Sequence, residues 1–175
     1  MSQQHPVNET LEDWNRLEQD DAMKTILPCN GSTAWAIGMV NARSFETPEA
    51  CFTASDRIWK SLPPGAWHQA FDSHPRLGGT QAKQATAQSL AWSADEQSGL
   101  AIDAKTQAQL AAAHQAYEQK FGYLFLLCAT GKSAADVLEA LRERMNHDPA
   151  TEFQVAGEQQ RQITQLRLRK WLGVA

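Results

Sequence analysis

Only one segment of this chain has the composition of a β-strand, and this limits the folds open to it. Residues 123–129 are apolar almost throughout, and no second run elsewhere in the sequence offers a partner strand. A lone strand leaves its backbone donors and acceptors unsatisfied. We therefore interpret residues 123–129 as a buried extended link or a short helical turn, and we predict an all-α fold.

Helix start and stop signals recur along the rest of the chain. The clearest is Thr47-Pro48-Glu49, in which a capping residue precedes a proline at the first helical position and an acid. The first helix is predicted over residues 8–19. Further boundaries are predicted at Ser32, Asp103, Gly122, Ser133 and Pro149. These signals predict a single-domain helical bundle of about seven to eight helices spanning residues 1–175, with residues 1–7 as a flexible N-terminal tail.

Length and composition restrict the function classes. The 175 residues are 42% hydrophobic, which is enough for one sizeable core. The net charge of -4 argues against nucleic-acid binding, which needs a basic face. No apolar run approaches the ~20 residues of a membrane helix, and the polar N-terminus has no signal-peptide pattern. We therefore expect a cytoplasmic protein without membrane contact, in which Cys29, Cys51 and Cys128 are free thiols.

The segment Gly131-Lys132-Ser133 resembles the end of a phosphate-binding P-loop. That motif requires a glycine five residues before Gly131, and this chain has Leu126 there. Nucleotide binding is therefore rejected. A milder interpretation stays open, because Gly131 and Ser133 stand at a predicted helix N-terminus, where free N–H groups can hold an anion or a urea-type carbonyl.

His74 is the sharpest candidate for chemistry. Its ordinary pKa of ~6.5 allows it to donate or accept a proton near neutral pH. Pro75 on one side and the pair Gly78-Gly79 further on restrict the backbone that presents it. A capping or surface histidine on a turn is the alternative. The five histidines have no metal-binding spacing, so no metal site is predicted.

Three more polar residues have both a functional and a structural interpretation. Glu96 stands three residues after Ser93 and can simply complete a capping box. Together, Glu96 and Gln97 can instead hold a ligand rich in N–H and C=O groups, such as a ureido group. Arg167 lies between two leucines of a predicted helix, so we expect it to face the core. There it would meet a carboxylate, either the protein's own or a substrate's.

Four ordered segments together resemble the 2-oxo-4-hydroxy-4-carboxy-5-ureidoimidazoline decarboxylases. The similarity extends roughly over residues 8–172. It implies an all-helical fold, no metal or organic cofactor, often a homodimer, and conversion of a urate-derived small molecule to (S)-allantoin. The segments that carry it are residues 74–78, 93–97, 117–129 and 163–168.

The resemblance also implies roles for single residues. His74 would be the catalytic histidine, and Glu96 would act directly on the substrate. Arg167 matches the family's arginine near the C-terminus, although Arg161 and Arg169 lie close enough in sequence to compete for that role. The substrate-binding positions that it implies are Pro75, Ser93, Ala94, Asp95, Gln97, Phe125, Leu126, Leu127, Cys128 and Ala129.

Two other functions stay open on the sequence. A different enzyme of the same pathway, such as the preceding hydrolase, would be rich in β-structure. A non-catalytic helical binding module would have an exposed apolar face and no turnover. The combination of histidine, glutamate, glutamine and arginine favours the decarboxylase over the binding module.

Overall fold

The computed structural model describes residues 7–75, 92, 94–95 and 103–174. Over these residues the regular structure is helical, which confirms the all-α prediction. None of the described helices combines the length and apolar character that a bilayer-spanning helix requires. The helices are α1 (Glu9–Arg16), α2 (Gln19–Ile26), a 3-10 turn (Leu27–Cys29), α3 (Thr33–Asn41), α4 (Pro48–Ser61), α5 (Pro64–Asp72), α6 (Ala104–Phe121), α7 (Ala134–Arg144) and α8 (Pro149–Leu172).

The capping signals in the sequence act as predicted. The Thr47 hydroxyl accepts a hydrogen bond from the Ala50 N–H at the start of α4. Gly122 ends α6 with a φ of 81°, a left-handed conformation that glycine adopts without steric penalty. Ser133 and Asp136 form a reciprocal capping box at the start of α7. Local sequence therefore determines where most of these helices begin and end.

The prediction of one helix over residues 8–19 is wrong. The chain leaves the helix at Leu17, whose ψ of 148° is extended, and α2 starts at Gln19. The indole N–H of Trp14 donates to the Ala22 carbonyl oxygen at 2.9 Å, which holds α2 folded back beside α1. Leu17 is 37% exposed, so its side chain is not part of the core.

Residues 123–129 form neither a helical turn nor a strand, which leaves the extended link of the two interpretations. The Arg144 guanidinium donates to the Leu126 carbonyl oxygen at 2.6 Å. The Gln159 side-chain oxygen accepts from the Cys128 N–H at 2.9 Å. Side chains of neighbouring helices thus supply hydrogen bonds that a partner strand would otherwise provide.

A buried ion cluster joins α6, α7 and α8 behind this link. The fully buried Glu152 carboxylate accepts hydrogen bonds from the Arg144 Nε atom at 2.8 Å and from the Tyr117 hydroxyl. It also pairs with His147 Nδ1 at 2.8 Å. Burial is the largest cause that raises the pKa of Tyr117, followed by its hydrogen bond to Glu152. The tyrosine therefore stays protonated and acts as a donor.

α8 packs closely against α4 and α5 at Gly157. A Cβ atom at this glycine would lie 2.1 Å from the Trp67 ring, so only glycine fits. The Trp59 indole N–H donates to the Gly157 carbonyl oxygen at 3.0 Å. Trp67 stacks between Trp59 and Phe153, with ring centroids 4.9 and 5.4 Å away. This contact fixes the position of α8 relative to the end of α5.

Candidate active site

His74 follows the end of α5 and is buried. The Ser73 hydroxyl donates to the Ala70 carbonyl oxygen at 2.6 Å, and the His74 N–H donates to the Phe71 carbonyl oxygen at 3.2 Å. These bonds continue the last turn of α5, and Pro75 then prevents further helical growth because it has no N–H to donate. His74 is 5% exposed and Pro75 is half-buried. The imidazole is thus held by a defined turn.

A glycine brings the loop before α3 against this turn. Gly31 has a φ of +95°, and a Cβ atom there would lie 2.2 Å from the Ser73 hydroxyl. Both observations require glycine. The close approach carries the neighbouring Asn30, which is fully buried, into the same region of the core.

Four buried polar side chains meet here. His74 Nε2 lies 2.7 Å from Gln160 Oε1. Gln160 Nε2 lies 3.2 Å from both the Asn30 carbonyl oxygen and the Thr164 hydroxyl. Asn30 Nδ2 lies 3.0 Å from the same hydroxyl. The sequence interpretation missed Asn30, Gln160 and Thr164, although helical spacing places Gln160 and Thr164 on the face of α8 that carries Arg167.

Arg167 is buried as predicted, with 1% of its surface exposed. Its Nη1 atom donates to the Pro28 carbonyl oxygen at 3.3 Å. Burial, and after it the positive charge of Arg167, lower the pKa of His74 to about 3, against an opposing effect of the hydrogen bond with Gln160. The His74 ring is therefore neutral at physiological pH.

Arg161, one of the competing arginines, is engaged with carboxylates of the protein. Its Nε and Nη2 atoms each donate to Glu158 at 2.8 Å, and its Nη1 atom donates to Asp56 at 3.0 Å. Its side chain is 24% exposed. Of the two arginines, it is Arg167 whose charge acts on His74.

The extended link is held by the same turn of α8 as His74. Gln159 accepts from the Cys128 N–H, and the adjacent Gln160 contacts His74. One turn of helix thus positions both the imidazole and the link, where the predicted substrate-binding positions lie. In the link, the side chains of Phe125, Leu126 and Ala129 are buried. Those of Leu127 and Cys128 are half-buried.

The predicted positions in residues 93–97 are only partly described. Ser93, Glu96 and Gln97 lie outside the described residues. Ala94 and Asp95 are exposed, and the Asp95 carboxylate pairs with Lys170 of α8. This pair places Asp95 beside the terminal helix that also carries Arg167.

The segment Gly131-Lys132-Ser133 stands at an exposed helix N-terminus, as expected. The Asp136 carboxylate accepts from both the N–H and the hydroxyl of Ser133, at 2.7 Å each. A carboxylate already occupying this position disfavours a second anion. Nothing in the described residues links this segment to His74.

Comparison with known proteins supports one family over most of the chain. The family model described as OHCU decarboxylase matches residues 15–169. The chain is 33% identical over 144 residues to the Arabidopsis thaliana "Uric acid degradation bifunctional protein TTL". It is 32% identical over 110 residues to the Amia calva "2-oxo-4-hydroxy-4-carboxy-5-ureidoimidazoline decarboxylase". The first match covers 81% of this chain and 44% of the Arabidopsis protein. The second covers 62% of this chain and 63% of the Amia protein.

A solved structure has the same fold. The crystal structure of an OHCU decarboxylase in the presence of (S)-allantoin superimposes with a TM-score of 0.73 at 26% sequence identity. The match covers 90% of this chain and 99% of that one. The family model covers far more than half of the sequence, and the fold agrees. This chain belongs to the OHCU decarboxylase family.

Proposed function

We propose that this chain removes CO2 from 2-oxo-4-hydroxy-4-carboxy-5-ureidoimidazoline and gives (S)-allantoin, as a step of urate degradation. The observation that carries the proposal is that His74 and Arg167 are both buried and that the charge of the guanidinium acts on the imidazole and lowers its pKa. Active sites often place a buried cation beside a buried histidine in this way, because the charge sets the protonation state that the chemistry needs. Both residues lie within the segment that matches the family model.

The substrate contains its own electron sink, so the reaction needs no organic cofactor. One ring carbon carries the hydroxyl and the carboxylate, and the adjacent carbon carries the ureido group and a C=N bond. When the C–CO2 bond breaks, its electron pair forms a C=C bond, and the C=N nitrogen takes up a proton. The resulting enol then becomes the ketone: its hydroxyl loses a proton, and the ureido-bearing carbon is protonated on one face. The net balance is one proton taken up for each CO2 released.

The positive charge of Arg167 suits the carboxylate of the incoming substrate. A guanidinium can hold a carboxylate through two parallel hydrogen bonds. An ion pair that is equally strong in the bound substrate and in the transition state would not raise kcat. Arg167 therefore contributes to catalysis by holding the carboxylate out of the ring plane, so that the breaking bond overlaps the C=N bond.

His74 is suited to accept the hydrogen of the substrate hydroxyl. Its low pKa in the ligand-free protein keeps it neutral, and an anionic substrate offsets the charge of Arg167 and makes the ring more basic. General acid–base assistance of this kind contributes about 10²–10⁴-fold to the rate.

Glu96 and Gln97, which lie outside the described residues, are proposed to bind the ureido group. Glu96 is also proposed to act directly on the substrate.

The backbone of residues 125–129 is the proposed wall for the substrate ring. Its contacts with Arg144 and Gln159 fix the backbone position before a ligand arrives. Pro75, Ser93, Ala94 and Asp95 are proposed to line the remainder. We also propose that residues 1–175 form one domain and act in the cytoplasm as a homodimer without a metal or organic cofactor.

A coupled assay tests the reaction. The substrate is generated from urate by an oxidase and a hydrolase, and allantoin chirality is followed by circular dichroism. Uncatalysed decay gives racemic product and serves as the blank. We expect a fast rise of one enantiomer, and a loss of about 10²-fold or more in His74→Ala.

His68→Ala is the matched control, because His68 lies exposed on α5, about one turn before the end of that helix. It should retain turnover. Racemic product formed at the blank rate by well-folded wild-type protein would contradict the proposal and favour a non-catalytic binding module. Undiminished turnover in His74→Ala would leave the reaction in place and remove His74 from its mechanism.

A further inference from the structure

We infer that Gln160 is a positioning residue that fixes the neutral His74 ring as the tautomer protonated at Nε2, so that Nδ1 is the atom that accepts a proton or hydrogen bond from a ligand. The inference assigns a role to a residue that neither the sequence interpretation nor the family resemblance singled out. Its catalytic meaning rests on the proposed function. The tautomer itself does not, because it is a property of the ligand-free protein.

The orientation of the Gln160 amide follows from its neighbours. Gln160 Nε2 lies 3.2 Å from the Asn30 carbonyl oxygen. A backbone carbonyl can only accept, so the amide group that faces it must be the NH2 group. The amide oxygen Oε1 therefore faces His74 Nε2, at 2.7 Å. An amide oxygen can only accept, so His74 Nε2 must donate.

The Thr164 hydroxyl supports this orientation independently. It donates its single hydrogen to the Gln160 carbonyl oxygen at 2.9 Å. It is left with lone pairs, which accept from Gln160 Nε2 at 3.2 Å and Asn30 Nδ2 at 3.0 Å. If the Gln160 amide were reversed, its oxygen would face two acceptors. Each donor in the network therefore meets an acceptor only when the Gln160 NH2 group faces Asn30 and Thr164.

The Asn30 amide is fixed in the same way. Its Oδ1 atom accepts from the Ser32 N–H at 3.1 Å, and this leaves Asn30 Nδ2 as the donor to Thr164. The loop before α3 and two turns of α8 therefore hold one consistent set of donors and acceptors. All of these side chains are buried, so water does not compete for the bonds.

The other tautomer would place two lone pairs against each other. With the proton on Nδ1, the Nε2 lone pair of His74 would face Gln160 Oε1 at 2.7 Å, and both buried acceptors would be unsatisfied. Among the residues that the structure describes, the charged group that acts on the ring is Arg167 of α8, and together with burial it disfavours the imidazolium. One neutral form remains, and it has its basic nitrogen at Nδ1.

The tautomer is measured directly by ¹⁵N NMR of the ring nitrogens in ligand-free protein, with the His74 signals assigned by their loss in His74→Asn. We expect a protonated Nε2 and an unprotonated Nδ1 at neutral pH.

Gln160→Met removes the acceptor with little change in side-chain volume, so both neutral tautomers of His74 should be populated. In that variant we expect kcat to fall by about 10- to 100-fold with a smaller change in KM, by analogy with other residues that fix histidine orientation.

Gln160→Glu provides the conservative test. It keeps an acceptor for Nε2–H and should restore the single tautomer, and its negative charge raises the pH at which His74 protonates in the NMR titration. Its second carboxylate oxygen cannot donate to the Asn30 carbonyl oxygen, so we expect this variant to be less stable than the wild type. A rise of about one pH unit or more is expected. That rise confirms that residue 160 contacts the ring, and the ring ¹⁵N signals then show whether the restored acceptor also restores the single tautomer, which a merely structural glutamine would not control. Gln162→Met is the matched control, because Gln162 lies on the same helix and bonds to Glu158 instead.

A wild-type His74 protonated at Nδ1, or doubly protonated at neutral pH, would overturn the inference. So would a folded Gln160→Met protein that retains full protonation at Nε2 and normal kcat. These experiments distinguish failure of the inference about Gln160 from failure of the proposed function. If the tautomer is found but no (S)-allantoin forms, the proposed function is wrong and the role of Gln160 in fixing the ring stands.

Discussion

The Arg167 guanidinium and the His74 imidazole lie in one buried region, where the cation opposes protonation of the ring. The two residues are 93 positions apart in sequence (167 minus 74) and belong to α8 and the turn after α5. Because little solvent screens such buried groups, the positive charge of Arg167 favours the neutral form of His74.

The first prediction concerns stability in acid. His74 has an ordinary pKa of ~6.5 when unfolded and about 3 when folded. Between these values the unfolded chain binds more protons, so stability falls as the pH falls. Above about pH 6.5 the neutral His74 makes its full contribution to the free energy of unfolding. Below that pH the free energy of unfolding decreases by up to about 1.4 kcal/mol per pH unit. Urea unfolding from about pH 7 to about pH 4 measures this slope.

His74→Asn supplies the comparison for that slope. The variant lacks the titrating ring, so its free energy of unfolding should depend less steeply on pH over the same range. Parallel slopes for wild type and variant would show that the folded protein does not keep His74 neutral.

The second prediction separates the two arginines. Arg167→Met should lower kcat/KM strongly, because removal of one partner of a desolvated charge pair costs about 2–5 kcal/mol, roughly 30-fold or more. Arg161→Met should stay within about threefold, since its guanidinium is committed to Glu158 and Asp56 on a partly exposed surface. Steady-state kinetics of both variants checks this. Equal losses would mean that Arg161 also serves the substrate.

The third prediction concerns the ion cluster behind the extended link. Glu152→Gln removes the negative charge that pairs with Arg144 and leaves that guanidinium buried and uncompensated. We expect a loss of about 3–5 kcal/mol in the free energy of unfolding. Tyr117→Phe removes only one donor and should cost about 1–2 kcal/mol.

Glu12→Gln is the control for this effect. Glu12 pairs with Arg16 on the exposed surface of α1, and such pairs contribute about 0–1 kcal/mol. Denaturant unfolding of the three variants gives the comparison. A loss for Glu152→Gln as small as that for Glu12→Gln would contradict the role assigned to the buried cluster.

The fourth prediction tests the helix contact at Gly157. Gly157→Ala places a methyl group 2.1 Å from the Trp67 ring, inside van der Waals contact. Either the stacked rings or α8 must shift, at a cost of about 1–3 kcal/mol. Gly65→Ala, in α5, meets no atom within 4 Å and should be neutral or stabilising by about 0.5–1 kcal/mol. Thermal unfolding of both alanine variants provides the test, and equal effects would contradict it.

Local sequence predicted the features that depend on neighbours along the chain. Caps such as Thr47 and Ser133 act within one helical turn, so their residue types were sufficient evidence. The burial of Arg167 followed from its leucine neighbours on α8. The break at Leu17 did not follow, because the Trp14–Ala22 hydrogen bond that stabilises the two short helices depends on tertiary folding.

The polar network around His74 lay beyond sequence reasoning for a related reason. Its contacts join residues 86, 130 and 134 positions apart, between His74, Gln160, Asn30 and Thr164. Helical periodicity places Gln160 and Thr164 on one face of α8, but it does not identify what they meet. Only the packing at Gly31 and Gly157, which brings three chain segments together, supplies the partners.

The face of α8 that carries Gly157, Gln160, Thr164 and Arg167 is at once part of the core and a second wall of the proposed site, opposite in kind to the backbone link 125–129 because it is built from side chains. The helix cannot detach without also exposing the stacked tryptophans that pack on it. Backbone amides along this face should therefore exchange with solvent only through global unfolding. Activity and helical circular dichroism are then expected to disappear in a single denaturant transition, with no folded intermediate that has lost this wall.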